Sequence, residues 1–405
     1  VSGSQRRSMS EKRGLEPLLR PLEQFTSLHA ATLRRHGSHA IDLSFPNPRV
    51  RRDGRAVDLL GAVAGRLTAD ELQYTPLGGS TILRRKVAGV LSQMTCVPYN
   101  YRDIVFTPGG AAALATGFAA LLEPGDEALV LTPGWMDYPL YLRQLGVGWQ
   151  FVRYAGGSPD LAALTRAWGP RTRAVILSQP NCPTGVMLGA AELASLAEAL
   201  VDVGRRDGRM PILFSDEVHR DQTWAGEFVS PVHFYDNVVS FYSLGKAWSL
   251  QGQRTGYLAI SPRFQQRESV QRDAVRALRA NGACAPTVVM QQVMAELAGH
   301  RPAMGSLAAD QDRARQLLRS GGADVVDATA TAFVYVRCPL GLTDSEFAEA
   351  AAAEGVLILP SELFHDSSHY RIALNVGGEQ LDEGLRRLVR IHHVTESRGP
   401  TRGTS

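Results

Sequence analysis

Short apolar runs of strand length alternate with longer helical patterns through the middle of the chain. The runs are IVF (104–106), EALVLT (127–132), WQFVRY (149–154), AVILS (174–178), PILFSD (211–216), VVSFYS (238–243) and GYLAI (256–260). Helical patterns separate them, as at 111–122 and 190–204, and Pro-Gly-Asp at 124–126 marks a turn from helix to strand. Strands that alternate with helices predict an α/β fold. Its core is a mostly parallel seven-stranded sheet covered by helices on both faces.

After about residue 285 the texture changes. Helical stretches run to about residue 320. Strand candidates AFVYVR (332–337), VLILP (356–360) and YRIAL (370–374) follow, and then a last helix at 379–392. This predicts a second, smaller α+β domain at 286–393, with the large domain at 51–285. An N-terminal segment at 15–50 is assigned to pack with the smaller domain. Polar tails at 1–14 and 394–405 are read as disordered.

Composition narrows the function classes. The chain of 405 residues is 44% hydrophobic and 20% charged, with a net charge of +3. That balance argues against a nucleic-acid or anionic-membrane partner. No run reaches the roughly 18 apolar residues of a membrane span. The start, VSGSQRRSMSEKRG, lacks the apolar core of a signal peptide. Cys96, Cys182, Cys284 and Cys338 form no C-x-x-C pair, which points to a reducing cytoplasm without a disulfide framework or zinc site. His365 and His369 stand four apart, but the Asp-Ser-Ser between them reads as a turn, so no metal site is assigned.

Basic residues carry the first chemical signal. Of 43, only Lys12, Lys86 and Lys246 are lysine. Surface charge in this chain is carried by arginine, so a lysine outside the tail invites a specific role. Arginine cannot replace it where an amine must deprotonate and attack a carbonyl. Lys246 follows the run VVSFYS and so lies at a strand exit, the edge where open α/β sheets bind ligands.

Other residues converge on that edge. Thr107-Pro108-Gly109-Gly110-Ala111 separates a strand from a helix, a place where backbone N–H groups receive an anion. Arg254, eight residues past Lys246, and Ser243 suit a phosphate. Asp216 ends an apolar run and is followed by Glu217. A carboxylate there can keep a pyridine nitrogen protonated, but periodicity does not choose between the two. Trp135 reaches the same edge with a flat ring. Arg371 opens the run RIAL and suits a carboxylate.

Together, from about residue 41 to 390, these motifs resemble the class I/II aminotransferases, fold-type I enzymes of pyridoxal 5′-phosphate. The resemblance implies that Lys246 carries the cofactor as a Schiff base. It also implies that Asp216, not Glu217, meets the pyridine nitrogen. Gly109, Gly110, Ala111, Ser243 and Arg254 would hold the phosphate, and Trp135 would stack on the ring. Tyr74, in YTPLGGSTILRRKVA, would reach the cofactor of a neighbouring subunit, which implies a homodimer with shared sites. Arg371 would bind the α-carboxylate of an amino-acid substrate, and Phe45, in IDLSFPNP, would line the substrate side.

Two positions depart from the family pattern. Gln179-Pro180-Asn181-Cys182-Pro183-Thr184-Gly185 places Cys182 where relatives carry an asparagine that donates to the cofactor's phenolic oxygen. Asn181 is the alternative donor if the loop is shifted. His219, in Asp216-Glu217-Val218-His219, replaces a tyrosine that contacts the same oxygen. The string DEVH is similar to the DEIH of the cystathionine β-lyase-like branch. The reading is an aminotransferase, with a lyase or cyclase of a specialised biosynthetic pathway as the alternative. An effector-sensing regulator would need a DNA-binding module ahead of the region that resembles the family, where only about 14 polar residues stand. A catalytically dead binding protein would not need both Lys246 and Asp216.

Overall fold

The computed structural model describes residues 14–49 and 53–397; both expected tails, with Lys12, fall largely outside that range. Thirteen strands are described. They are β1 (Ile41–Asp42), β2 (Ile104–Thr107), β3 (Glu127–Thr132), β4 (Gly148–Ala155), β5 (Ser158–Pro159), β6 (Thr172–Ser178) and β7 (Ile212–Asp216). There follow β8 (Val238–Ser243), β9 (Gly256–Ile260), β10 (Phe333–Arg337), β11 (Val356–Leu357), β12 (Leu359–Pro360) and β13 (His369–Ala373).

The large sheet has eight strands in the order β2-β9-β8-β7-β6-β3-β4-β5. All seven expected runs are in it. The eighth, β5, is a two-residue return that pairs antiparallel with β4 across a turn at Gly156 and Gly157. Strand β9 is antiparallel to β8 and β2, while β4, β3, β6, β7 and β8 run parallel.

Side chains divide this sheet by alternation. Leu129, Leu131, Val175, Leu177 and Leu213 belong to one apolar cluster, with Leu193, Leu196 and Leu200 of the helix Ala190–Asp207. Ala128, Val130, Ala174, Ile176 and Phe214 belong to another, with Leu114 and Phe118 of the helix Gly110–Leu121. The central strands are buried on both faces, which explains why they read as continuous apolar runs, whereas β4 near the edge is largely exposed.

The remainder forms a smaller layer. Strands β10, β13 and β12 make an antiparallel sheet, and β1 pairs in parallel with β11. Ile41 and Leu43 join the cluster of Val334, Ile372 and Leu388. The helix Glu16–His36 packs on the helix Asp344–Ala353. The run VLILP, expected as one strand, is split. Val356 and Leu357 pair with β1, whereas Leu359 and Pro360 pair with β13, so the run passes from one sheet to the other within five residues. The last helix spans Gly378–Ser397, longer than the apolar pattern indicates. No described helix is long and apolar enough to cross a membrane. His365 adopts a left-handed conformation and His369 opens β13, so the two do not share a helical face.

Candidate active site

Alternation decides between the two neighbouring acids. Asp216 falls on the sheet face of Phe214, and Glu217 on the face of Leu213. Both are almost fully buried. Asp216 accepts a hydrogen bond from the Tyr138 hydroxyl at 2.7 Å and a longer one from the Val218 backbone N–H at 3.3 Å. Burial pushes its carboxyl up to about 6, against the pull of Tyr138, the Val218 N–H and the Lys246 charge. Glu217 instead takes three hydroxyls on Oε1: Ser230 at 2.7 Å, Ser240 at 2.9 Å and Ser215 at 3.1 Å. Its Oε2 stands 3.7 Å from Arg220. The first acid opens to the strand exits and the second is locked behind the sheet.

An anion cup lies beside Asp216 on the same face. Gly109 has φ +93° and precedes the helix Gly110–Leu121, whose first-turn N–H groups, Ala111 included, lack intrahelical partners. A Cβ at Gly109 would stand 2.6 Å from Arg254 Nη2, so only glycine lets the guanidinium lie over that helix end. A Cβ at Gly110 would meet the Cβ of Ser243 at 3.4 Å. Ser243 pairs in register with Gly256 on β9, which seats the arginine loop against the turn. Cup, hydroxyl and arginine are thus brought together.

Lys246 lies in the short helix Leu244–Trp248 that follows β8, half-buried. Burial lowers the affinity of its amine for a proton. The cations of Arg371 and Arg254 act in the same direction, while Cys182 and Asp216 oppose it. A second anion receptor stands on the other side. Arg371, in the middle of β13, is buried between the rings of Phe333 and Phe364, at 4.3 and 4.8 Å from their centroids. Its Nη2 donates to the Ser44 carbonyl at 2.7 Å and its Nη1 reaches Cys182 Sγ at 3.8 Å. Its Nε is buried with no protein partner.

Asn181 and Cys182 stand in different surroundings. Asn181 donates to the Pro133 carbonyl at 3.0 Å and accepts from the Thr184 hydroxyl at 2.7 Å and the Thr184 N–H at 3.2 Å. Its amide is occupied in its own turn. Cys182 is the residue between Arg371 and Lys246. Burial holds it as a thiol, its pKa pushed up although the charges of Arg371 and Lys246 pull it down. His219 is buried edge-on to Phe333, with Nδ1 2.7 Å from Gln222 Oε1. Burial, with the Lys246 and Arg371 charges, depresses it to about 3.

Trp135 stands edge-to-face with Tyr138 and Tyr141 at the exit of β3. Phe45 packs on Phe25 and His29, and its carbonyl accepts from Asn375, so it belongs to the strap that also supplies Ser44. Tyr74 is fully exposed on its own chain, beside the segment 284–288. Sequence reasoning missed Tyr138, Gln222, Phe333 and Phe364. The signal for Tyr138 was its place three residues after Trp135. The others are joined to the site only by tertiary packing. Among the described residues no group of three metal-ligating side chains forms.

Comparison with known proteins agrees with this geometry. The family model for class I and II aminotransferases matches residues 63–388. A probable aspartate/prephenate aminotransferase of Thermus aquaticus is 27% identical over 388 residues, covering 89% of this chain and 93% of the relative. An arginine–pyruvate transaminase of Pseudomonas aeruginosa is 28% identical, covering 82% and 85%. The solved structure of an N-succinyldiaminopimelate aminotransferase from Mycobacterium tuberculosis superposes with a TM-score of 0.79 at 26% identity, covering 92% and 99%. An aminotransferase of Eubacterium rectale superposes at 0.86, covering 91% and 95% at 22% identity, which speaks to the fold alone. Relatives named as aminotransferases do not favour the lyase or cyclase alternative. The chain is a member of the class I and II aminotransferase family.

Proposed function

We propose that this aminotransferase uses pyridoxal 5′-phosphate, held at Lys246, to move the amino group of an amino acid to a keto acid. One observation carries the reading. A single amine of lowered proton affinity feels two arginines, one over a helix N-terminus and one buried with an unpartnered Nε. The first suits a phosphate and the second a carboxylate.

The residues present fit the cofactor. Gly109 leaves room that any Cβ would fill, and Arg371 keeps a buried donor free. Arg254, Ser243 and the first N–H groups of the helix would receive the phosphate. Asp216 would hold the proton of the ring nitrogen, with Tyr138 keeping the carboxylate oriented. Trp135 would cover the ring, with Cys182 and His219 at its oxygen side. When bound, the cofactor supplies an electron sink for the charge left by a broken C–H bond.

The chain's own work surrounds that sink. Arg371 fixes the substrate carboxylate, and Phe333 and Phe364 keep water from the guanidinium, which strengthens the ion pair. The Ser44 carbonyl holds one edge of the guanidinium so that the other faces the site. Lys246 Nζ, neutral once its proton is shed, would take the substrate α-proton and hold it for return. Tyr74, exposed on this chain, supports a homodimer in which each site is completed by its neighbour.

The test mixes enzyme and cofactor with amino acids and no keto acid. Transamination converts one cofactor per site to its amine form and then stops. Continuous release of ammonia without that conversion would contradict it in favour of elimination.

A further inference from the structure

His219 is buried beside Lys246, and the mechanism above leaves its ring without a task. Its protonation follows from its neighbours. Gln222 Nε2 lies 3.0 Å from the Lys246 carbonyl oxygen, an atom that only accepts. The amide must therefore turn its NH2 end to Lys246, since the flipped amide would set oxygen against oxygen. That leaves Oε1 facing His219 Nδ1 at 2.7 Å. An amide oxygen also only accepts, so Nδ1 must carry the hydrogen. The Gln222 backbone N–H closes the turn onto the His219 carbonyl at 2.8 Å, which fixes the spacing of the pair.

The other ring nitrogen has the opposite character. The charged groups that act on the ring are Lys246 and Arg371, both cations, so a second ring proton is disfavoured. Among the described residues Nε2 has no hydrogen-bond partner. His219, Gln222 and Lys246 line, with Phe333, Asn375 and Pro46, a partly enclosed space of about 20 Å³, enough for one water.

We propose that Gln222 is a positioning residue that locks His219 as the Nδ1–H imidazole, so that the site meets a bare Nε2 that accepts a hydrogen bond and cannot donate one. A tyrosine at this place would donate. The substitution therefore inverts the polarity of one contact at the cofactor's oxygen side and leaves Cys182 as the donor there. It also gives Lys246, or a water in the adjoining space, an acceptor for an N–H or O–H. The chain needs both members. Histidine alone is free to change tautomer, and glutamine alone has nothing to orient.

The proposal rests on the reading of Lys246 as the reactive amine, but its first test needs no turnover. Nitrogen NMR of histidine-labelled protein, without and with cofactor, reads each ring nitrogen, and the His219 signals are those lost in His219→Asn. The expected spectrum at neutral pH has a protonated Nδ1 and a bare Nε2. Gln222→Met, which removes both ends of the amide, should release the ring to a mixture of tautomers. Gln222→Glu, which keeps an acceptor but adds a negative charge, should protonate both nitrogens. In turnover, Gln222→Met should lower kcat about tenfold, as loss of one buried hydrogen bond does, with KM nearly unchanged. A protonated Nε2 in the wild type, or an unchanged tautomer in Gln222→Met, would overturn the proposal even if the enzyme transaminates.

Discussion

Asp216 and Glu217 are adjacent carboxylic acids, both almost fully buried, yet their surroundings differ sharply. Asp216 keeps only Tyr138 and one long backbone contact, and burial leaves its carboxyl with a raised pKa. Glu217, one residue on and on the other sheet face, is saturated by three serine hydroxyls and faces Arg220. An acid held short of partners is available to a ligand. An acid given all of them serves the fold. The difference comes from strand alternation, which turns neighbouring side chains to opposite faces.

The largest test of this contrast is Asp216→Asn. Truncating one partner of a buried charge pair costs about 2–5 kcal/mol, so kcat/KM should fall roughly thirtyfold to several thousandfold. Resistance to urea at about pH 4, where the folded-state acid is protonated, should stay near wild type, and a loss confined to stability would erase the distinction. Glu217→Gln should behave in reverse. It leaves the buried Arg220 with Asp221 as its one remaining acidic partner among the described residues, so stability should drop by about 1–3 kcal/mol while kcat of the folded fraction barely changes.

Acid titration sharpens the comparison next. The folded-state pKa of Asp216, about 6, lies above its ordinary value of 3.8. Between those values the unfolded chain releases the proton first, so this group makes the cofactor-free protein less stable as pH rises from about 4 to 6. The difference between wild type and Asp216→Asn should therefore grow by on the order of 3 kcal/mol across that window, measured by urea titration at each pH. A flat difference would mean that Asp216 is not desolvated. The smallest expected effect belongs to Tyr138→Phe. It removes a hydrogen bond to a charged group, worth about 1.5–3 kcal/mol, and should weaken cofactor binding about tenfold or more with little loss of fold. No change in cofactor affinity would leave Tyr138 as core packing only.

Sequence carried the sheet because most of its strands are buried on both faces and read as apolar runs between residues 104 and 260. It carried Lys246, Gly109 and Arg254 because each follows a strand or a turn, and strand exits gather at one edge. It did not carry the break within VLILP, since two pairing partners cannot be read from one apolar run. Phe333, Phe364 and Gln222 were not legible for a similar reason. Their roles arise from contacts with Arg371, Lys246 and His219, distant in sequence or turned by a loop. Nor could sequence show that Thr184 and the Pro133 carbonyl hold the Asn181 amide, since both contacts come from the fold of the loop.

The most direct test of the account is where the cofactor attaches. Pyridoxal 5′-phosphate is added to the purified protein, the bond is fixed by borohydride reduction, and the digested chain is weighed peptide by peptide. The account predicts one cofactor mass per chain, on the peptide containing Lys246, and none in Lys246→Ala. A label on Lys86, or an undiminished label in the Lys246→Ala protein, would contradict it.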